Sequence, residues 1–325
     1  MDSKPLRDIA KKVLSQDEVK CLLGYEKGSY GFRVSPCILT SSDEVERLIF
    51  SPLCVHNLAN YLTLENIGPL TQKETREGEK IAIVAKGCDS KAIAVLVSEH
   101  GVDRDSLVVI GIPCQGVVDM RKLEKRFPDV LDKAEVEIKD SKFVITSEGQ
   151  SVEVPCDELL SDKCRRCKNP TPVIYNELVG EPIIGKEDSF DDVKELEGES
   201  IEEKLGKWQH ELSKCVRCSA CRNACPLCYC SDCELDRLKP QFIRRAVNFQ
   251  ENLLFHITRA FHLAGRCVDC GECERVCPQE IPLMELNRKL AKDVKELFDY
   301  EAGIDPKIKP LFATFKTEDS DEGIL

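Results

Sequence analysis

At 325 residues, 42% of them apolar, the chain is long enough for one large domain or two modest ones. A formal net charge of −12 argues against nucleic acid as the partner, and no apolar run nears the ~20 residues that cross a bilayer. Nineteen cysteines in a small secreted chain would mean a disulfide scaffold, but the charged opening MDSKPLRDIAKKVLSQDEVK has no apolar core of a signal peptide and most cysteines fall at metal-like spacings, so a reducing cytoplasm is expected.

Up to about residue 80 the pattern predicts a helix over 6–13 and short apolar segments at 19–25, 32–39 and 45–50, an α/β mixture. Cys21, Cys37 and Cys54 stand there without metal-like pairing and read as small buried hydrophobes. The run Lys80-Ile-Ala-Ile-Val-Ala85 is a buried strand, residues 90–99 a helix closed by His100-Gly101, and residues 106–112 a second buried strand. This β-α-β unit requires two parallel strands in one sheet.

The strands end in Lys86-Gly87-Cys88-Asp89 and Pro113-Cys114-Gln115-Gly116. Ligands collect at the carboxyl edge of such a sheet, so Cys88 and Cys114 are expected to face one site. A helix over 117–126 follows, then alternating segments at 135–138, 142–146 and 151–154 that predict an antiparallel meander. Beyond Cys156 comes the pair Cys164-Arg-Arg-Cys167. A C-x2-C pair needs two partners, which Cys88 and Cys114 supply, with Cys156 in reserve. These four cysteines predict a third [4Fe–4S] site, with zinc or unrelated thiols as the alternatives.

Residues 185–205 are strongly acidic and read as a solvated linker with some helix. Two matched blocks follow, Cys215-x2-Cys218-x2-Cys221-x3-Cys225-Pro226 and Cys267-x2-Cys270-x2-Cys273-x3-Cys277-Pro278. This is the ferredoxin spacing, in which three thiolates of one loop hold a cubane and the fourth cysteine ligates the other cluster. One cluster is therefore assigned to Cys215, Cys218, Cys221 and Cys277, the other to Cys267, Cys270, Cys273 and Cys225. Zinc sites favour two separated pairs over such a triplet. Cys228, Cys230 and Cys233 either add a metal site or tune the nearest cluster.

Between the blocks, Phe242, Ala246, Phe249, Leu253, Ile257, Ala260 and Phe261 recur at helical spacing from Pro240 to Gly265, and Leu283, Leu286, Leu290, Val294 and Leu297 mark a second amphipathic helix. His256 and His262 on this frame suggest packing or a polar contact, not metal ligation. The tail TFKTEDSDEGIL reads as a disordered acidic end.

The stretches AKGCDSKAIAVL, VVIGIPCQG, KCRRCKNP and CPLCYC, with the two ferredoxin blocks, resemble the coenzyme F420 hydrogenase/dehydrogenase beta-subunit family, above all formate dehydrogenase beta subunits. The resemblance runs from about Ile81 to Leu297 and implies noncovalent FAD beside an iron–sulfur cluster, hydride exchange with the deazaflavin coenzyme F420, and clusters that carry electrons to a partner. The run AFHLAGRCVDCGECERVCP is also similar to iron–sulfur subunits of heterodisulfide reductases and succinate dehydrogenases. No G-x-G-x-x-G follows a strand, so no Rossmann dinucleotide site is indicated. No Ser/His/Asp or Cys/His nucleophile constellation appears either.

The expected architecture is an α/β flavin and iron–sulfur domain over 1–184, an acidic linker over 185–206, a mostly helical dicluster ferredoxin-like domain over 207–300 and a tail over 301–325. The expected role is an electron-transfer subunit of a hydrogenase, formate dehydrogenase or heterodisulfide-reductase type complex. The rivals are a flavin-free iron–sulfur adaptor and a metal-dependent regulatory protein.

Overall fold

The computed structural model describes residues 3–29, 33–63, 78–128 and 134–314. Phe32 and the acidic tail from residue 315 lie outside the described residues.

Helix α1 (Lys4–Leu14) starts on Pro5 and buries Leu6, Ala10 and Val13, one face at helical spacing. Strands β1 (Val19–Lys27) and β2 (Val34–Leu39) pair antiparallel. β3 (Lys80–Ala85), helix α2 (Gly87–Ser98) and β4 (Leu107–Gly111) form the β-α-β unit, with β3 and β4 parallel and Ile81 opposite Leu107. Both strands are buried over nearly their whole length, as a parallel centre covered on two faces requires. After α3 (Met120–Arg126) come β5 (Glu135–Lys139), β6 (Lys142–Ser147) and β7 (Gln150–Pro155), a separate antiparallel meander. Its turns use Asp140-Ser141 and Glu148-Gly149, all four at positive φ, the mirror-type turn that matches strand twist. The expected helix over 117–126 begins late because Asp119 is its cap, accepting from the amides of Arg121 and Lys122.

Two short helical turns, α4 (Cys156–Leu159) and α5 (Asp162–Arg165), lead to β8 (Glu177–Leu178). That strand closes a mixed sheet of order β2-β1-β3-β4-β8, in which all pairs except β1/β2 are parallel. From Asp191 onward the described residues hold helices and no strand: α6 (Asp191–Gly198), α7 (Ile201–Ser213), α8 (Ala220–Asn223), α9 (Phe249–His262), α10 (Glu272–Arg275) and α11 (Leu283–Phe298).

Two expectations need correction. The helix foreseen from Pro240 begins only at Phe249, because the Asn248 side chain caps it through the Glu251 amide. The apolar stripes also face inward only in part: Ala260, Leu283 and Val294 are buried, and Phe249, Leu253, Leu286 and Leu290 are half-buried. Phe242, Ile257, Phe261 and Leu297 are exposed, while α9 buries Asn252, His256 and Arg259 beside Phe255. Helix α11 likewise buries Asn287 and Arg288 beside Met284.

The acidic stretch is more than a solvated run. Asp188 and Asp192 clasp the guanidinium of Arg288, which also reaches Asp269 at 2.9 Å, and Glu197 meets Lys289 and Lys292. The strand-bearing and helical parts join closely. Glu99 at the end of α2 grips Arg266 through two bonds of 2.5 and 2.7 Å and accepts from Tyr229 at 2.8 Å. Leu227, Leu263, Val268, Cys225 and Cys270 share one continuous core with the sheet.

Candidate metal centres

Three sets of four cysteines gather in space. Cys88, in the first turn of α2, and Cys114, just past β4, line one cavity with Cys164 and Cys167. The carboxyl edge of the sheet thus brings together the four residues foreseen, and Cys156 is not among them. The amide of Val117 donates to the Cys164 sulfur at 3.4 Å. Burial pushes the Cys88 thiol up to about 12 and raises Cys114 and Cys167 as well. Such thiols stay protonated unless a metal replaces the proton.

Gly87 and Gly185 make this site compact. A Cβ on Gly87 would be driven into the Asn169 carbonyl, and one on Gly185 into that of Lys168, both on the loop that carries Cys167. Gly87→Ala is therefore expected to push that loop away and cost about four irons per chain, measured as iron content after anaerobic purification. Unchanged iron would show that the loop does not hold a cluster.

The two ferredoxin blocks share one backbone. Arg217 and Ser219 have φ of 54° and 59°, and their counterparts Asp269 and Gly271 have 55° and 67°. Each loop then runs into a four-residue helix, α8 or α10. Cys215, Cys218, Cys221 and Cys277 line one cavity with Phe255 and His256. Cys267, Cys270 and Cys273 each interact electrostatically with Cys225. The fourth cysteine of each block thus lies with the triplet of the other. Among the described residues no three His, Cys, Asp or Glu side chains converge to hold a single metal ion. The triplet spacing of each block suits a polynuclear cluster better than one zinc ion.

Polar groups aim at these sulfurs. His256 Nε2 lies 3.3 Å from the Cys215 sulfur, to which the Arg217 amide donates at 3.4 Å. Burial and the neighbouring Arg259 and Arg217 pull the His256 imidazole down to about 4, so it is neutral. Asn287 Nδ2 donates to the Cys273 sulfur at 3.6 Å. His256 thus makes a polar contact, as the pattern suggested, whereas His262 is exposed. Cys228 hydrogen-bonds with Cys225, Cys233 packs against the Cys215 side, and Cys230 is exposed. Cys21, Cys37 and Cys54 are buried in the sheet's core, with thiols pushed by burial to about 11, 12 and 11.

Two larger cavities adjoin the third site. One, of about 370 Å³, shares Lys163 with it and lies between the 53–56 segment, residues 117–121 and α10. The other, of about 450 Å³, shares Cys114, Gln115 and Gly116 and is bounded by residues 50–52 and β5.

Residues 78–174 match the family described as the C-terminal part of the coenzyme F420 hydrogenase/dehydrogenase beta subunit, and residues 211–281 match the 4Fe-4S dicluster domain. Over residues 78–174 the chain thus carries a domain of the F420 hydrogenase/dehydrogenase beta-subunit family. Its helical part carries an iron–sulfur dicluster unit. The protein named F420-dependent formate dehydrogenase subunit beta, from Methanocaldococcus jannaschii, is 25% identical over 93% of this chain and 92% of its own length. F420-dependent formate dehydrogenase 1 subunit beta from Methanococcus maripaludis is 24% identical over 92% and 90%. A shorter stretch, 29% of the chain, is 32% identical to 9% of acetyl-CoA decarbonylase/synthase complex subunit alpha 1 from Methanosarcina mazei. A chain of the F420-reducing [NiFe] hydrogenase complex from Methanosarcina barkeri aligns with a TM-score of 0.38 at 15% identity, over 50% of this chain and 58% of that one. No described helix is long and apolar enough to cross a membrane.

Proposed function

We propose that this chain is the electron-transfer subunit of a larger oxidoreductase, passing electrons between a flavin and partner subunits through three [4Fe–4S] clusters. The observation that carries this reading is the serial placement of the three cysteine sets. Cys88, Cys114, Cys164 and Cys167 would hold the first cluster. Cys267, Cys270, Cys273 and Cys225, packed on the sheet's side of the helical part, would hold the second. Cys215, Cys218, Cys221 and Cys277 would hold the third, and there Cys218 reaches the surface.

The 370 Å³ cavity is the candidate site for FAD. Val34, Val55 and Val117 offer an apolar wall, and Arg33, Arg121 and Arg166 bring cations for a pyrophosphate. When bound, a flavin accepts the two electrons of a hydride and passes them on singly, which a cluster cannot do alone. The relatives' names make coenzyme F420 the first hydride carrier to try. The protein's own part is to hold and tune. His256, Asn287 and the Arg217 amide donate to ligand sulfurs, which favours the reduced clusters and sets their potentials. The crossed fourth cysteines hold the last two clusters in fixed relation.

The test is anaerobic purification with iron, acid-labile sulfide and flavin measured on one sample. About twelve irons and one FAD per chain, with flavin reduced by F420H2, are expected. Iron without flavin would leave the adaptor reading in its place, and zinc instead of iron would sink both.

A further inference from the structure

Successive cysteine sets are separated by buried cations. Arg259 of α9 is 3% exposed and donates from Nη2 to the carbonyl of Cys221 at 3.1 Å. Its charge also meets Cys225 and Cys273 of the neighbouring set, and Cys228, with which its side chain hydrogen-bonds. Among the described residues no carboxylate pairs with it, and its buried Nε–H has no partner. Lys163 repeats the arrangement one gap earlier. Its ammonium donates to the carbonyl of Cys270 at 2.5 Å, and it lines the cavity of Cys88, Cys114, Cys164 and Cys167. Its carboxylate neighbour, Glu272 at 3.9 Å, is already held by two bonds from Arg275, of 2.9 and 2.7 Å. Each cation thus bonds the backbone of one cysteine set while its charge faces the sulfurs of the next.

A buried charge without a carboxylate of its own is costly, and a well-packed apolar side chain fills the same space more cheaply. Beyond Cys228 beside Arg259 and Glu272 beside Lys163, anionic clusters would supply the counter-charge for both cations. Resting on the three-cluster reading above, we propose that Lys163 and Arg259 are positioning residues of the relay, each raising the reduction potentials of the two clusters on either side of it so that electrons can cross the gap. Reduction adds one electron to a cluster, and a fixed cation in a low-dielectric gap stabilises the reduced form of both neighbours. Without it, the added electron would face the negative charge of the next cluster unscreened.

The experiment is a redox titration of each cluster followed by electron paramagnetic resonance on the holoprotein, with iron and sulfide measured on every variant. Arg259→Gln is expected to lower the midpoints of the Cys215 and Cys267 clusters by about 59 mV or more, a tenfold change in a one-electron equilibrium, and to spare the Cys88 cluster. Arg259→Lys should restore most of that shift. Lys163→Gln should lower the Cys88 and Cys267 clusters and spare the Cys215 cluster. The proposal is overturned if midpoints stay put, if all three clusters shift alike, or if Arg259→Lys behaves like Arg259→Gln. Should Arg259→Gln lose iron, Lys163→Gln and Arg259→Lys decide the matter by the same criteria. A wild-type protein without a Cys88 cluster would defeat the three-cluster reading instead, and the Arg259 variants would still test the cation between the remaining two.

Discussion

Replacing Cys270 by alanine is expected to lower iron from about twelve to about eight per chain and to stop electrons that enter beside the Cys88 site from reaching the Cys215 cluster. The effect should be near total, because Cys270 belongs to the middle set of the series. Its sulfur interacts electrostatically with Cys225, and its carbonyl takes the Lys163 ammonium that borders the Cys88 cavity. Rapid mixing with reductant, with the Cys215 cluster followed spectroscopically, measures this directly. Reduction of that cluster at the wild-type rate would mean the middle set is not on the path.

A second large effect is expected from Arg288→Met, a loss of roughly 3 kcal/mol in stability. The Arg288 side chain is 3% exposed and that of Asp188 8%, so their two bonds of 2.9 Å form a buried pair. Asp192 is nearly half exposed, so its share is screened and smaller. Burial alone would raise the Asp188 carboxyl, but the Arg288 hydrogen bonds outweigh it and hold the group below the usual carboxylate range. The sign follows from that depression. The stabilisation is in force above pH of about 4, the unfolded carboxylate value, and fades as pH falls through the lower folded one. Thermal unfolding against pH checks it, with Arg288→Met/Asp188→Asn recovering part of the loss. A change under about 1 kcal/mol at neutral pH would refute the clasp.

Much of the frame was legible from residue order. The β-α-β unit stood out because Ile81 to Ala85 and Leu107 to Ile110 are unbroken apolar runs that only a doubly covered parallel strand needs. The crossed cysteine sets were expected from spacing, since three thiolates on one tight loop cap one cubane and the fourth cysteine points away from it. The helix faces were harder to read. A pattern of apolar residues assumes that what faces inward is hydrocarbon, yet α9 and α11 lie against cysteine sulfurs that need donors. His256, Arg259, Asn287 and Arg288 point in, and Phe261 and Leu297 point out. Lys163, Arg259 and Arg288 were missed for the same reason, because a lone charge in a helical pattern is ordinarily solvated. One signal was available for Lys163, its place beside Cys164 in a C-x2-C pair. The short β8 carried too few residues to show any period.

The exposure of Cys218 gives the proposed exit of the relay a second character. A thiolate at the surface is open to dioxygen and peroxide as well as to a redox partner, and oxidation follows exposure. On the proposed relay, decay in air would begin at the same point where current leaves, while the middle set, with Cys270 and Cys225, is walled off. A docked partner then serves two ends at once, drawing electrons and acting as a stopper against corrosion.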